Sequence, residues 1–393
     1  MYTPFNSKLF TTHIDPISGV RIAVLSKHIA PVQQTLYFVN SGWSDDKRFF
    51  WFMCAFPPAA GQMLGVIDFL TDEIRYFPET HTGFNALVEG KTGNVYWGNK
   101  YGIFMCTPNP EDKAVQIASL PEECRKLKAG AEVVGTHLTF TPDHKEILVD
   151  IYVPYGTIIG TFDIATGDFS EWYRTDGANF NHAQMNPVDP NVCMCAHIHN
   201  LDPHTGAIMP LPLEDGIYPR LNIITRIGSR KLISPLGNYA THEWWAPDGK
   251  SIFYCNSGYR GEAEYTAIIA QDFLDGSESQ IVCRLIPGGS TIAHGSCSTD
   301  QKYFVFDGFE PDTWWRGAVT MLYFSNRETG KQIRFLSKNP IVEGWSRQNP
   351  CPYHIDPHPR FVCNDSMINF TTTICGRVDV AFVSVEELIE ATK

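Results

Sequence analysis

At 393 residues, 43% of them hydrophobic and 13% aromatic, the chain can bury a large core, and it divides into two or three domains unless a repeat holds it together. A formal net charge of −12 sets the average surface against nucleic acid and anionic membrane, both polyanions, yet leaves room for a small anion in a pocket of opposite local field.

The opening stretch MYTPFNSKLFTTHIDP has no basic start followed by an apolar run, and no segment approaches the roughly 18 apolar residues of a membrane span. The expectation is a cytoplasmic chain. GVRIAVLS (19 to 26) reads as an isolated strand. Two weak strand–turn–strand units follow, TLYFVNSGWSDDKRFFWFMC (35 to 54) and GFNALVEGKTGNVYWGN (83 to 99). Five stronger units share one layout, a short strand, an Asp-containing turn and an apolar strand. They lie at 135 to 153, 181 to 198, 241 to 256, 293 to 308 and 356 to 372. Further strands with Gly-containing turns follow some of them, as in IIGTFDIATGDFSEWYR (158 to 174) and MLYFSNRETGKQIRFLS (321 to 337).

Four short strands per unit, repeated seven times, is a seven-bladed β-propeller, here read as one domain over residues 1 to 393. After the seventh turn only RVDVAFVSV (377 to 385) remains, so the last blade lacks an outer strand, and residues 19 to 26 are expected to supply it and remove the open edge. Eleven cysteines, odd in number and without a CxxC pair, argue against a disulfide framework or a structural zinc site; Cys193 and Cys195 read as buried thiols.

The same layout brings histidines into register. His137, His242 and His294 each stand six residues before a turn Asp, and His182 and His358 seven. Because the strand before each turn is the innermost of its blade, five imidazoles from five blades converge at one rim of the channel, where crowding requires that some be neutral, paired or metal-bound. Gln184 shares the face of His182, His197 ends the next strand, and Arg220 begins another, its planar donors suited to a carboxylate. WSRQNPCPYHIDPHPRF (345 to 361) adds Gln348, Tyr353, His354, Asp356 and His358, a nitrogen and oxygen donor set that with His294 suits a divalent metal such as Mn²⁺.

These residues resemble the oligogalacturonate lyases. The resemblance rests on NHAQMNPVDP with AHIHN, on THEWWAPDGKSIFY with a later RGE (260 to 262), on HGSCSTD leading to Asp307–Gly308, and on HPRF (358 to 361), covering about half the chain from residue 181 on. It implies a seven-bladed propeller that cleaves short uronate oligosaccharides by β-elimination to 4,5-unsaturated products. It also implies His242 as base, Arg220 in the substrate site and Mn²⁺ held by three histidines and one glutamine, of which His294 and His358 match, with Gln348 and His354 from a looped-out segment, or Asp356 as a carboxylate, to complete the set. His137, His182, Gln184 and His197 are expected on the substrate side by their register. The last blade departs from the family pattern Gln-x-x-His-x-His-Pro: the aligned positions are Tyr353, Asp356 and His358, so that Asp356 stands where the family has a histidine. A lyase for another uronate polymer, such as a glucuronate-containing one, and a non-catalytic propeller platform of the TolB or WD-repeat kind stay open beside this reading.

Overall fold

The computed structural model describes residues 3–59, 61–82, 86–126, 134–135, 137–202, 204–211, 218–233, 240–256, 267–272, 279–284, 291–309, 320–335, 353 and 355–393. Seven antiparallel sheets follow one another along the chain as the blades of a propeller. The first six begin with inner strands at Val32–Gln34, Leu87–Val88, Thr139–Phe140, Ala178–Met185, Thr241–Trp245 and Thr291–Cys297, and each runs outward in chain order. Blade seven starts at Arg360–Val362 and continues through Met367–Thr372 and Asp379–Ser384. Its fourth strand is N-terminal, as expected: Arg21–Leu25 pairs with it in the register Ile22↔Val383 and Ala23↔Phe382. A strand the sequence did not announce, Phe10–Ile14, adds a fifth by pairing with Arg21–Leu25. Among the described residues no helix is long and apolar enough to cross a membrane.

The turns form for a local reason. Asp46, Asp143, Asp248 and Asp300 each accept a hydrogen bond from the backbone N–H two residues on, at 3.0 to 3.2 Å, which closes an Asx turn. The intervening residue takes a left-handed conformation in each, Lys47, His144, Gly249 and Gln301.

The blades are held face to face by the two-residue period of their strands. In Phe49–Ala55, Phe50, Phe52 and Cys54 pack toward blade seven, while Trp51 and Met53 pack toward blade two. Successive apolar clusters in this way join blades one to two, two to three, three to four, four to five, five to six, six to seven and seven to one. Strands buried on both faces therefore read as continuous apolar runs rather than as alternation.

Candidate active site

The five histidines meet as the repeat register requires. His242 and His294 have ring centroids 4.5 Å apart, His294 and His358 4.3 Å, and His137 and His182 4.9 Å. Local backbone geometry turns them inward. In blades four, five and six the pairing of the inner strand slips at the histidine, between Asn181 and Gln184, Thr241 and Trp244, and Ile292 and Gly295. His182, His242 and His358 have φ of 56°, 50° and 47°. A bulge that re-aims a side chain, with a non-glycine residue held left-handed, costs stability and recurs where function needs it.

Tyr37 fills the middle of the ring. Its phenol lies 4.7 Å from His137, 4.7 Å from His358, 5.8 Å from His294 and 6.1 Å from His182, centroid to centroid. Burial, and then the negative field of Glu243, push its pKa upward, so it stays a neutral phenol. Nothing in the weak first repeat marked this residue, since its blade carries no histidine at the matching place.

On one side of the ring His294, Asp356 and His358 are all buried, and their donor atoms lie within 4.8 Å of one another. The His294 Nδ1 is 2.9 Å from Asp307, and the His294 backbone N–H donates to the same carboxylate at 2.7 Å. An Nδ1–H given to Asp307 leaves the Nε2 lone pair as donor, the arrangement that orients histidine ligands in metal sites. Three buried N and O donors backed by a second carboxylate fit a divalent cation of borderline hardness. Gln348 and His354, expected as further ligands, and the Arg-Gly-Glu at 260 to 262 lie outside the described residues.

On the other side stands a group that the sequence reading passed over inside its own motif. Glu243, fully buried, places one carboxylate oxygen 3.4 Å from an Arg220 terminal nitrogen and the other 3.4 Å from His182 Nδ1. Burial by itself would raise this carboxyl, but Arg220 and His182 outweigh it and hold it well below the usual carboxylate range. Gln184 donates from its amide to the Glu243 carbonyl at 2.8 Å. His242 is next in sequence, its Nδ1 3.2 Å from the Thr241 hydroxyl. Burial, then the neighbouring His294 and Arg220, pull its pKa well below the ordinary histidine value, so the ring is neutral. His197 is placed differently: its Nε2 is 3.0 Å from Asn200, its ring rests on Phe180, and burial followed by Arg230 lowers its pKa to about 4. It touches the site through its backbone, the N–H donating to the Arg220 carbonyl at 2.7 Å.

No protein-family model and no curated protein matches the chain. Among solved structures it is similar to an oligogalacturonate lyase in complex with manganese, with a TM-score of 0.72 and 18% identity over 95% of this chain and 96% of that one. It is also similar to an oligogalacturonate lyase from Vibrio parahaemolyticus, with a TM-score of 0.71 and 18% identity over 96% of each chain. The β-propeller domain of Swd1 from Myceliophteria thermophila follows at a TM-score of 0.54 and 10% identity, over 93% of this chain and 99% of that one. The fold is the seven-bladed propeller that the lyases share.

Proposed function

We propose that this chain is a lyase that cleaves short uronate oligosaccharides, of the oligogalacturonide kind, by metal-assisted β-elimination. One observation carries the reading: a buried donor cluster of His294, Asp356 and His358 stands in a single ring with the neutral His242, and Arg220 lies beside it. A non-catalytic platform has no use for such a gathering. The lyase neighbours, one of them a manganese complex, support the reading at the level of fold.

His294, Asp356 and His358 would hold the cation, Mn²⁺ by the resemblance, with Gln348 and His354 as further ligands. The bound cation would neutralise the uronate carboxylate and so acidify the proton on the adjacent carbon. The chain's own residues do the rest. Arg220, oriented by Glu243, would present its planar guanidinium to the same carboxylate. His242 takes the C5 proton; the electron pair forms the C4–C5 double bond, the bond from C4 to the glycosidic oxygen breaks, and the departing oxygen takes a proton from water. An arriving anion raises the basicity of a buried imidazole toward the working range. His137, His182 and Gln184 line the substrate side, and His197 acts behind Arg220. The reading takes the chain as one propeller domain in the cytoplasm.

A panel of oligouronides with Mn²⁺, followed by the ultraviolet absorbance of the conjugated product, tests this. Absorbance growth on oligogalacturonides supports it, and none on any uronate oligomer overturns it. A second substrate class belongs in the panel because Asp356 stands where the family has a histidine, which alters the charge beside the substrate carboxylate. Turnover of glucuronate-containing oligomers alone would move the assignment to them.

A further inference from the structure

Two residues on from each histidine of the ring stands a second set of side chains, which border one cavity. Thr139, Gln184, Trp244, Ser296 and Arg360 follow His137, His182, His242, His294 and His358 in this way. With Val39 of blade one they line a cavity of about 300 Å³ on the turn side of the channel. All are uncharged except Arg360. This guanidinium donates from Nη1 to the Phe38 carbonyl at 2.8 Å, and its Nε is buried without a hydrogen-bond partner. It forms no ion pair among the described residues. The acid on the cavity rim, Asp365, accepts from the Thr299 backbone N–H at 2.7 Å.

Arg360 is half-buried with its Nε shut off from water, and a guanidinium so placed is well satisfied by an oxyanion. Among the described residues no carboxylate forms an ion pair with it, although Asp365 stands on the rim, and two hydroxyls line the same cavity. The Thr139 and Ser296 oxygens accept from the backbone N–H groups of Met185 and Phe361, at 2.9 and 3.4 Å, which leaves each hydroxyl hydrogen to donate elsewhere. The cavity is at the small end of ligand-sized pockets. We propose that the turn-side mouth of the channel is a second binding site, for a small oxyanion bearing a carboxylate or phosphate, held by Arg360 with Thr139 and Ser296. The inference does not depend on the lyase reading. It also gives the occupant a route to the histidine ring: the carbonyl that Arg360 holds belongs to Phe38, whose ring lies 5.2 Å from His294 and 6.4 Å from His358.

Calorimetric titration of the metal-loaded protein with galacturonate and, separately, with inorganic phosphate tests the site, and the two probes tell a sugar acid from a phosphate. The expected result is one saturable equivalent that Arg360→Gln weakens about tenfold or more and that Arg220→Gln leaves in place. Arg360→Lys should keep part of the binding, having the charge without the fork. Thr139→Val, which spares the arginine and its fold contacts, should weaken binding about threefold. The proposal is overturned if neither probe saturates below about 10 mM, if the only equivalent disappears in Arg220→Gln, or if both Arg360→Lys and Thr139→Val bind as the parent does.

Discussion

At the scale of single residues, the site separates groups that touch substrate from groups that hold others in place. His242→Ala should leave metal content and melting temperature unchanged and lower turnover by about 10² to 10⁴, the usual worth of a general base; loss of metal would make the residue a ligand instead. Arg220→Ala should raise KM as well as lower kcat, because carboxylate binding goes with it. Asp307 touches no substrate in this reading but fixes the His294 ring, so Asp307→Asn should weaken Mn²⁺ affinity about 10- to 100-fold in a direct binding titration. Glu243→Gln leaves Arg220 buried without its counter-charge and should cost about 3 kcal/mol near neutral pH, measured by denaturant unfolding. The pKa of Glu243 is depressed in the folded chain, so its contribution is fully present above the unfolded glutamate value of about 4.3 and is lost as pH falls below it. The gap between parent and variant should accordingly narrow below pH of about 4; a gap that widens there would contradict the ion pair.

At the scale of the strand and blade, the closure of the ring is the element most open to test. Ile22 is fully buried in the N-terminal strand of blade seven, between Val383 of the pairing strand and the apolar cluster shared with blade six. Ile22→Asp should destabilise the protein by about 3 kcal/mol or more, read as a fall in the unfolding midpoint. Blade order and the histidine ring were legible because the five stronger repeats each carry an Asp turn with a histidine six or seven residues before it, and the N-terminal closure because the last blade runs out of strands. The rest was not, for reasons of spacing. Tyr37 reaches the ring from a loop that has lost the repeat pattern, and Glu243 acts across blades on Arg220, 23 residues earlier. A strand pattern shows which face a residue takes and not which blade it meets. Phe10–Ile14 is mostly exposed and polar on one side, so its sequence resembles a loop until Arg21–Leu25 pairs with it.

At the scale of the whole molecule, each apolar cluster is shared by two blades, so no blade keeps its core once a neighbour opens. A single calorimetric transition is therefore expected, with calorimetric and van't Hoff enthalpies in agreement; two resolved transitions would show that the chain divides. The pairing of Arg21–Leu25 with the last strand, Asp379–Ser384, also sets a clock on biosynthesis. Arg21 meets Glu387 across 366 residues of chain. At ribosomal speeds of about 5 to 20 residues per second, the early strand waits on the order of 20 to 70 s for a partner that has not yet been made. Blades one to six can assemble while translation runs, but the circle shuts only after the last strand leaves the exit tunnel. Until then the N-terminal segment is an unclaimed adhesive tail, and the order of synthesis, rather than any contact in the finished ring, decides how long it must be kept from sticking to something else.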